Sequence, residues 1–82
     1  MIYAEQLRAA RGLLGWNQSV FSSKSGLPLS TIKRMESASG PVRGNSQNVW
    51  KIQHSLEEAS VVFLDANGGG PRVRLKYSPH KY

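Results

Sequence analysis

Residues 17–36 read NQSVFSSKSGLPLSTIKRME, and this stretch decides the fold. It predicts two short helices hinged at Gly26, with apolar side chains where such helices must touch. Gln18 and Ser19 open the first helix, and Phe21 points inward. Ser22 is small where the helices cross. Gly26 supplies the tight turn, because glycine alone takes positive φ cheaply, and Leu27 plugs it. Ile32 and Met35, at i and i+3, face the first helix, while Ser30, Thr31, Lys33 and Arg34 are expected to face out.

A short helix held at a fixed angle, with a polar and basic outer face, is how helix-turn-helix proteins enter the DNA major groove. Here the chain resembles the Cro/lambda-repressor-like helix-turn-helix family, also called the XRE family. Arg11 and the following Gly15-Trp16-Asn17-Gln18 match that family's Arg, then Gly-hydrophobic-Ser/Asn/Thr-Gln. Phe21-Ser22 stands where Leu-Ala is usual. Gly26, Ile32 and Glu36 stand at its turn glycine, core isoleucine or valine, and closing glutamate. The resemblance covers roughly residues 6–58. Three positions depart from the pattern. Ser22 replaces alanine and is still small. Pro28 sits where a Ser/Thr cap is frequent, and Leu29 where a polar base-reading side chain is frequent. Leu29 therefore suggests apolar contact, for instance with a thymine methyl.

The resemblance implies a mainly α, four-helix lambda-repressor-like domain with its second helix over about 17–25 and its recognition helix over about 29–37. It also implies a partly buried ion pair between Arg11 and Glu36, which fixes geometry and reads no base.

Length and charge agree with one small DNA-facing domain. The chain has 82 residues, a net charge of +6, a pI near 10.2 and no cysteine. A strongly basic balance favours a polyanionic partner. Absence of thiols removes disulfides and thiolate metal sites, in keeping with a cytoplasmic protein. No apolar run approaches the roughly 20 residues of a membrane span, and no signal-peptide pattern opens the chain.

Outside the central stretch, Leu7, Ala10 and Leu14 recur at helical spacing, so a helix is expected over residues 3–14, with Arg8 on its other side. Gly15 ends it. Asn17 is a candidate cap for the next helix. Residues 38–44 form a loop rich in breakers. Asn45 or Ser46 caps a fourth helix to about Ala59, with Val49, Ile52, Leu56 and Ala59 as its apolar stripe. Past Ser60 the period changes. Residues 61–64 are a β-branched, apolar run, 65–71 a dense turn signal, and Val73, Leu75 and Tyr77 alternate with Arg74 and Lys76. A β-hairpin follows. The expected organisation is thus a helix-turn-helix domain over 1–60, a hairpin over 61–77 that either dimerises or covers the chain's own core, and a frayed tail over 78–82.

No catalytic constellation is legible, so the chain is read as no enzyme, with no cofactor and no metal. His54 and His80 lack partners at metal spacing. Glu57 and Glu58 point to different faces. Gly68-Gly69-Gly70 lacks the Lys-Ser/Thr of a phosphate loop. The candidate DNA contacts are Gln18, Ser19, Leu29, Ser30, Thr31, Lys33, Arg34 and Arg43. Among them Arg34 is the best guanine reader, through its planar fork. Lys33 and Arg43 suit phosphates, and Gln18 is either a DNA contact or plain surface. Trp50 either covers the core edge or joins a subunit interface. Arg72, Arg74 and Lys76 blunt a strand edge.

The expectation is a sequence-specific transcriptional regulator, a small bacterial or phage-type repressor binding double-stranded DNA as a homodimer. Trp50, Val61, Phe63, Val73 and Leu75 are its candidate interface. The alternative is a protein-interaction module, antiactivator- or antitoxin-like, that blocks another regulatory protein.

Overall fold

The computed structural model describes residues 2–64 and 70–77. It is mainly helical, with one small sheet: α1 (Ala4–Leu14), α2 (Gln18–Ser25), α3 (Leu29–Ser37), α4 (Ser46–Glu58), β1 (Val61–Leu64) and β2 (Arg72–Leu75). Short polar residues and glycines set the helix boundaries. The Asn17 side chain accepts from the Val20 N–H at 2.8 Å, and Asn45 from the Asn48 N–H at 2.7 Å. Each satisfies a backbone donor that a helix start leaves unpaired. α2 stops at Gly26, whose φ of 76° turns the chain while its N–H reaches the Ser22 carbonyl at 3.0 Å. Two serines hold the turn: Ser22 Oγ donates to the Leu27 carbonyl, and Ser25 Oγ accepts from the Leu27 N–H at 3.3 Å.

α1 begins one residue later than the periodicity predicts. Tyr3 is extended and forms an isolated antiparallel bridge with Pro41. The Ala4 N–H donates to the Gly40 carbonyl and the Val42 N–H to that of Ile2, both at 2.9 Å. The loop after α3 is thereby tied to the start of α1.

One core joins all the elements. Leu7, Ala10, Phe21, Leu27, Ile32, Met35, Ile52, Leu56 and Val61 are buried together with Ile2. Burying each of the larger side chains is worth roughly 1.5–3 kcal/mol, which lets a short chain hold together without a disulfide.

The two strands pair antiparallel, Val61 opposite Leu75 and Phe63 opposite Val73. β1 packs on α4 and β2 on α1. Buried Gln6 pins the far end, its Nε2 donating to the Leu64 and Arg72 carbonyls at 3.2 and 2.8 Å. The alternation expected through Tyr77 stops at Leu75, and Tyr77 is exposed. Ser60, with φ 74°, makes the corner between α4 and β1. Most of the expected hairpin turn (65–69), His80 and the expected frayed tail (78–82) lie outside the described residues.

Of the hairpin residues in the candidate interface, Val61 is corrected by this packing. Val61 is 3% exposed inside the chain's own core, and Phe63, Val73 and Leu75 are half-buried against that same core. A two-stranded hairpin is marginal without an apolar partner, and α1 and α4 supply one within the same chain. Trp50 behaves differently. It is 61% exposed and stacks on His54, ring centroids 4.5 Å apart, so it does not cover the core edge.

Candidate nucleic-acid interface

α3 has two sharply different faces. Thr31, Ile32, Met35 and Glu36 are buried, while Ser30, Lys33, Arg34 and Ser37 are exposed. The second set follows i, i+3, i+4, i+7 spacing, one continuous stripe of a helix. Thr31, expected on the outer face, is only 9% exposed. It stands one residue before Ile32 and four before Met35, and at 100° per residue that angle turns it inward despite its hydroxyl. Ser37 was missed by the sequence reading, although its spacing from Ser30 could have placed it. Leu29 is half-exposed at the start of the helix.

The outward stripe carries two cations. Among the described residues Lys33 and Arg34 form no ion pair; the pairs found are Arg11–Glu36 and His54–Glu58. Arg43, exposed on the following loop, lines with Arg34 an open groove of about 330 Å³ to which Met35, Ala38 and Gly44 also contribute.

The buried carboxylate of α3 is the hub that fixes this helix. Arg11 Nε lies 2.9 and 3.2 Å from the two Glu36 oxygens, and Arg11 Nη1 donates to the Trp16 carbonyl at 3.2 Å. Gln18 Nε2 donates to Glu36 Oε1 at 3.1 Å. Glu36 therefore ties α1, the start of α2 and the end of α3 together. The expected ion pair is present in this geometry. Gln18, a candidate DNA contact, already has one amide N–H committed to Glu36, while Ser19 beside it is exposed.

A second clamp was not foreseen. Arg8 Nη1 donates to the Glu36 carbonyl and, at 3.1 Å, to that of Ala38. A cation on the last carbonyls of a helix is favoured by the helix dipole. Beside it, the Glu5 carboxylate accepts from the Gly40 N–H at 3.2 and 3.3 Å. Glu5 titrates below its ordinary value because its own backbone N–H, and then that of Gly40, favour the charged form, with the Arg8 charge adding to this. No sequence signal announces either contact, since both partners are backbone groups about thirty residues away.

On α2, Lys24 sits 6.0 Å over the half-buried Trp16 ring, which in turn lies 6.0 Å from Phe21. Among the described residues no three His, Asp or Glu side chains cluster at metal distance, and no helix is long and apolar enough to cross a membrane. In comparisons with protein-family models, curated proteins and solved structures, none matches this chain.

Proposed function

We propose that this chain is a sequence-specific DNA-binding regulator of the Cro/lambda-repressor-like helix-turn-helix type, placing α3 in the major groove. The observation that carries this reading is the outward stripe of α3. Ser30, Lys33, Arg34 and Ser37 are exposed together, a stripe with no carboxylate whose two cations form no ion pair among the described residues, on a helix clamped to α1 and α2 through Glu36. Base reading needs such rigidity, because phosphate contacts set the register in which side chains meet base edges. In this role Arg34 bonds guanine O6 and N7, and Lys33 and Arg43 neutralise phosphates. Regulation follows from occupancy of a promoter, with no chemistry at the site. One helix reads only a few base pairs, so a two-fold dimer with recognition helices about 34 Å apart is part of the proposal.

The test is binding to duplex DNA from upstream of its own gene, by fluorescence anisotropy across a salt series. Each neutralised phosphate should contribute a log–log slope of about −0.9. Arg34→Ala should cost roughly 1–3 kcal/mol and relax specificity at one base pair. Lys33→Ala and Arg43→Ala should weaken all sequences alike. A flat salt response would favour the second reading, a module that grips another regulatory protein. The half-exposure of Leu29 at the head of the same stripe is what supports that alternative.

A further inference from the structure

Trp50 stands on the side of α4 directly opposite Ile52, Leu56 and the core. It is 61% exposed and stacks on His54. The same outward face runs on to Glu58, which lies 3.6 Å from His54 Nε2. An exposed tryptophan costs solubility and is held here by no neighbour in the core. Charge along this helix is also segregated. Lys51 sits beside Trp50 in its first half, and Glu57 and Glu58 sit at its end, on a chain that is otherwise strongly basic. Between this end of α4 and β1 lies an open groove of about 370 Å³, lined by Gln6, Gln53, Glu57, Val61, Phe63 and Leu64.

Those three features are mutually complementary only when two copies of α4 run antiparallel. A two-fold axis near His54 then sets Lys51 of each copy opposite Glu58 of the other, with Glu57 one step round the same helix end. It also carries each Trp50 to the last turn of the opposing helix, beside the groove mouth. The lining of the groove is more polar than apolar: Phe63 and Leu64 meet one edge of the ring, and Gln53 and Glu57 offer acceptors for the ring N–H.

We infer that the outward face of α4 is a self-association surface, on which Trp50 of each copy seats in the α4–β1 groove of a second copy. This deepens the dimer in the function proposed above and replaces the hairpin as its interface. Two 13-residue helices cross over about 20 Å. That is a modest contact beside the roughly 1,200 Å² at which stable interfaces begin. The dimer is therefore reversible and concentration-dependent, and DNA with two half-sites would reinforce it.

The experiment is sedimentation equilibrium of the full chain without DNA, so that its outcome is independent of whether α3 binds DNA. A monomer–dimer equilibrium is expected. Trp50→Ala should raise the dissociation constant at least about tenfold, as loss of a central aromatic anchor does, with the thermal midpoint of the monomer unchanged because the side chain is outside the core. Lys51→Glu alone, and Glu57→Lys with Glu58→Lys, should each weaken the dimer. Mixing these two variants should restore association as a heterodimer. A chain monomeric at the highest measurable concentration overturns the inference. So does a dimer indifferent to Trp50→Ala, or a pair of charge variants that fails to recover on mixing.

Discussion

Replacing Arg11 by methionine keeps the packing of its stem and deletes the guanidinium. The Glu36 carboxylate, 3% exposed, is then left with one partner, the Gln18 amide at 3.1 Å. Removing one side of a buried ion pair costs about 3–5 kcal/mol. Arg11 is itself 24% exposed, so water replaces part of what is lost, and the expected cost lies at the lower end, about 3 kcal/mol. Glu36→Gln is milder, because Arg11 retains the Trp16 carbonyl and its access to solvent. A cost of about 1–2 kcal/mol is expected there, that of a lost charge-assisted hydrogen bond. Combining the two should give a protein more stable than Arg11→Met alone, since a neutral amide replaces the stranded charge. Urea unfolding followed by far-ultraviolet circular dichroism reads all four proteins, provided the slope with denaturant stays constant. The reasoning is refuted if Arg11→Met costs less than Glu36→Gln, or if the double variant is the least stable of the set.

Three further outcomes follow from the geometry. Gly26→Ala meets no atom within 4 Å at the added Cβ, so its cost is the left-handed backbone alone, about 1–2 kcal/mol, and Gly26→Asn should recover part of it. Glu5 is more acidic when folded, so its contribution to stability is full above the ordinary glutamate value and is lost as pH falls through the lowered one. Glu5→Gln should therefore flatten the acid side of the stability profile and leave the alkaline side unchanged; an unaltered acid limb argues against the Gly40 contact. Arg8→Ala frees the last carbonyls of α3 and should raise amide hydrogen exchange at residues 38–42 ahead of the core, whereas uniform exchange across the chain would deny it a local role.

The helices were legible because their signals are local. Asn17, Gly26 and Asn45 mark ends through bonds within four residues, and Leu7, Ile32 and Ile52 reveal inner faces by spacing alone. Thr31 is polar yet faces inward, because its angle on the helix decides its burial. Val61, Phe63, Val73 and Leu75 read correctly as apolar strand residues, yet a strand pattern does not say whether the covering surface belongs to the same chain or another. Arg8 and Glu5 were illegible for a different reason. Their partners are backbone carbonyls and an N–H at the end of α3 and in the loop after it, and every residue has those, so no side-chain pattern points to them. Trp50 was open between two roles, and its position opposite Ile52 removes the core-edge one.

The central claim is that the outward stripe of α3 meets DNA, and amide chemical-shift mapping on titration with a duplex carrying the upstream sequence tests it most directly. The account predicts that the largest changes fall on Ser30, Lys33, Arg34, Ser37 and Arg43, with smaller ones at Gln18 and Ser19. Changes centred on α4 and the hairpin, with the α3 stripe unmoved, would contradict it.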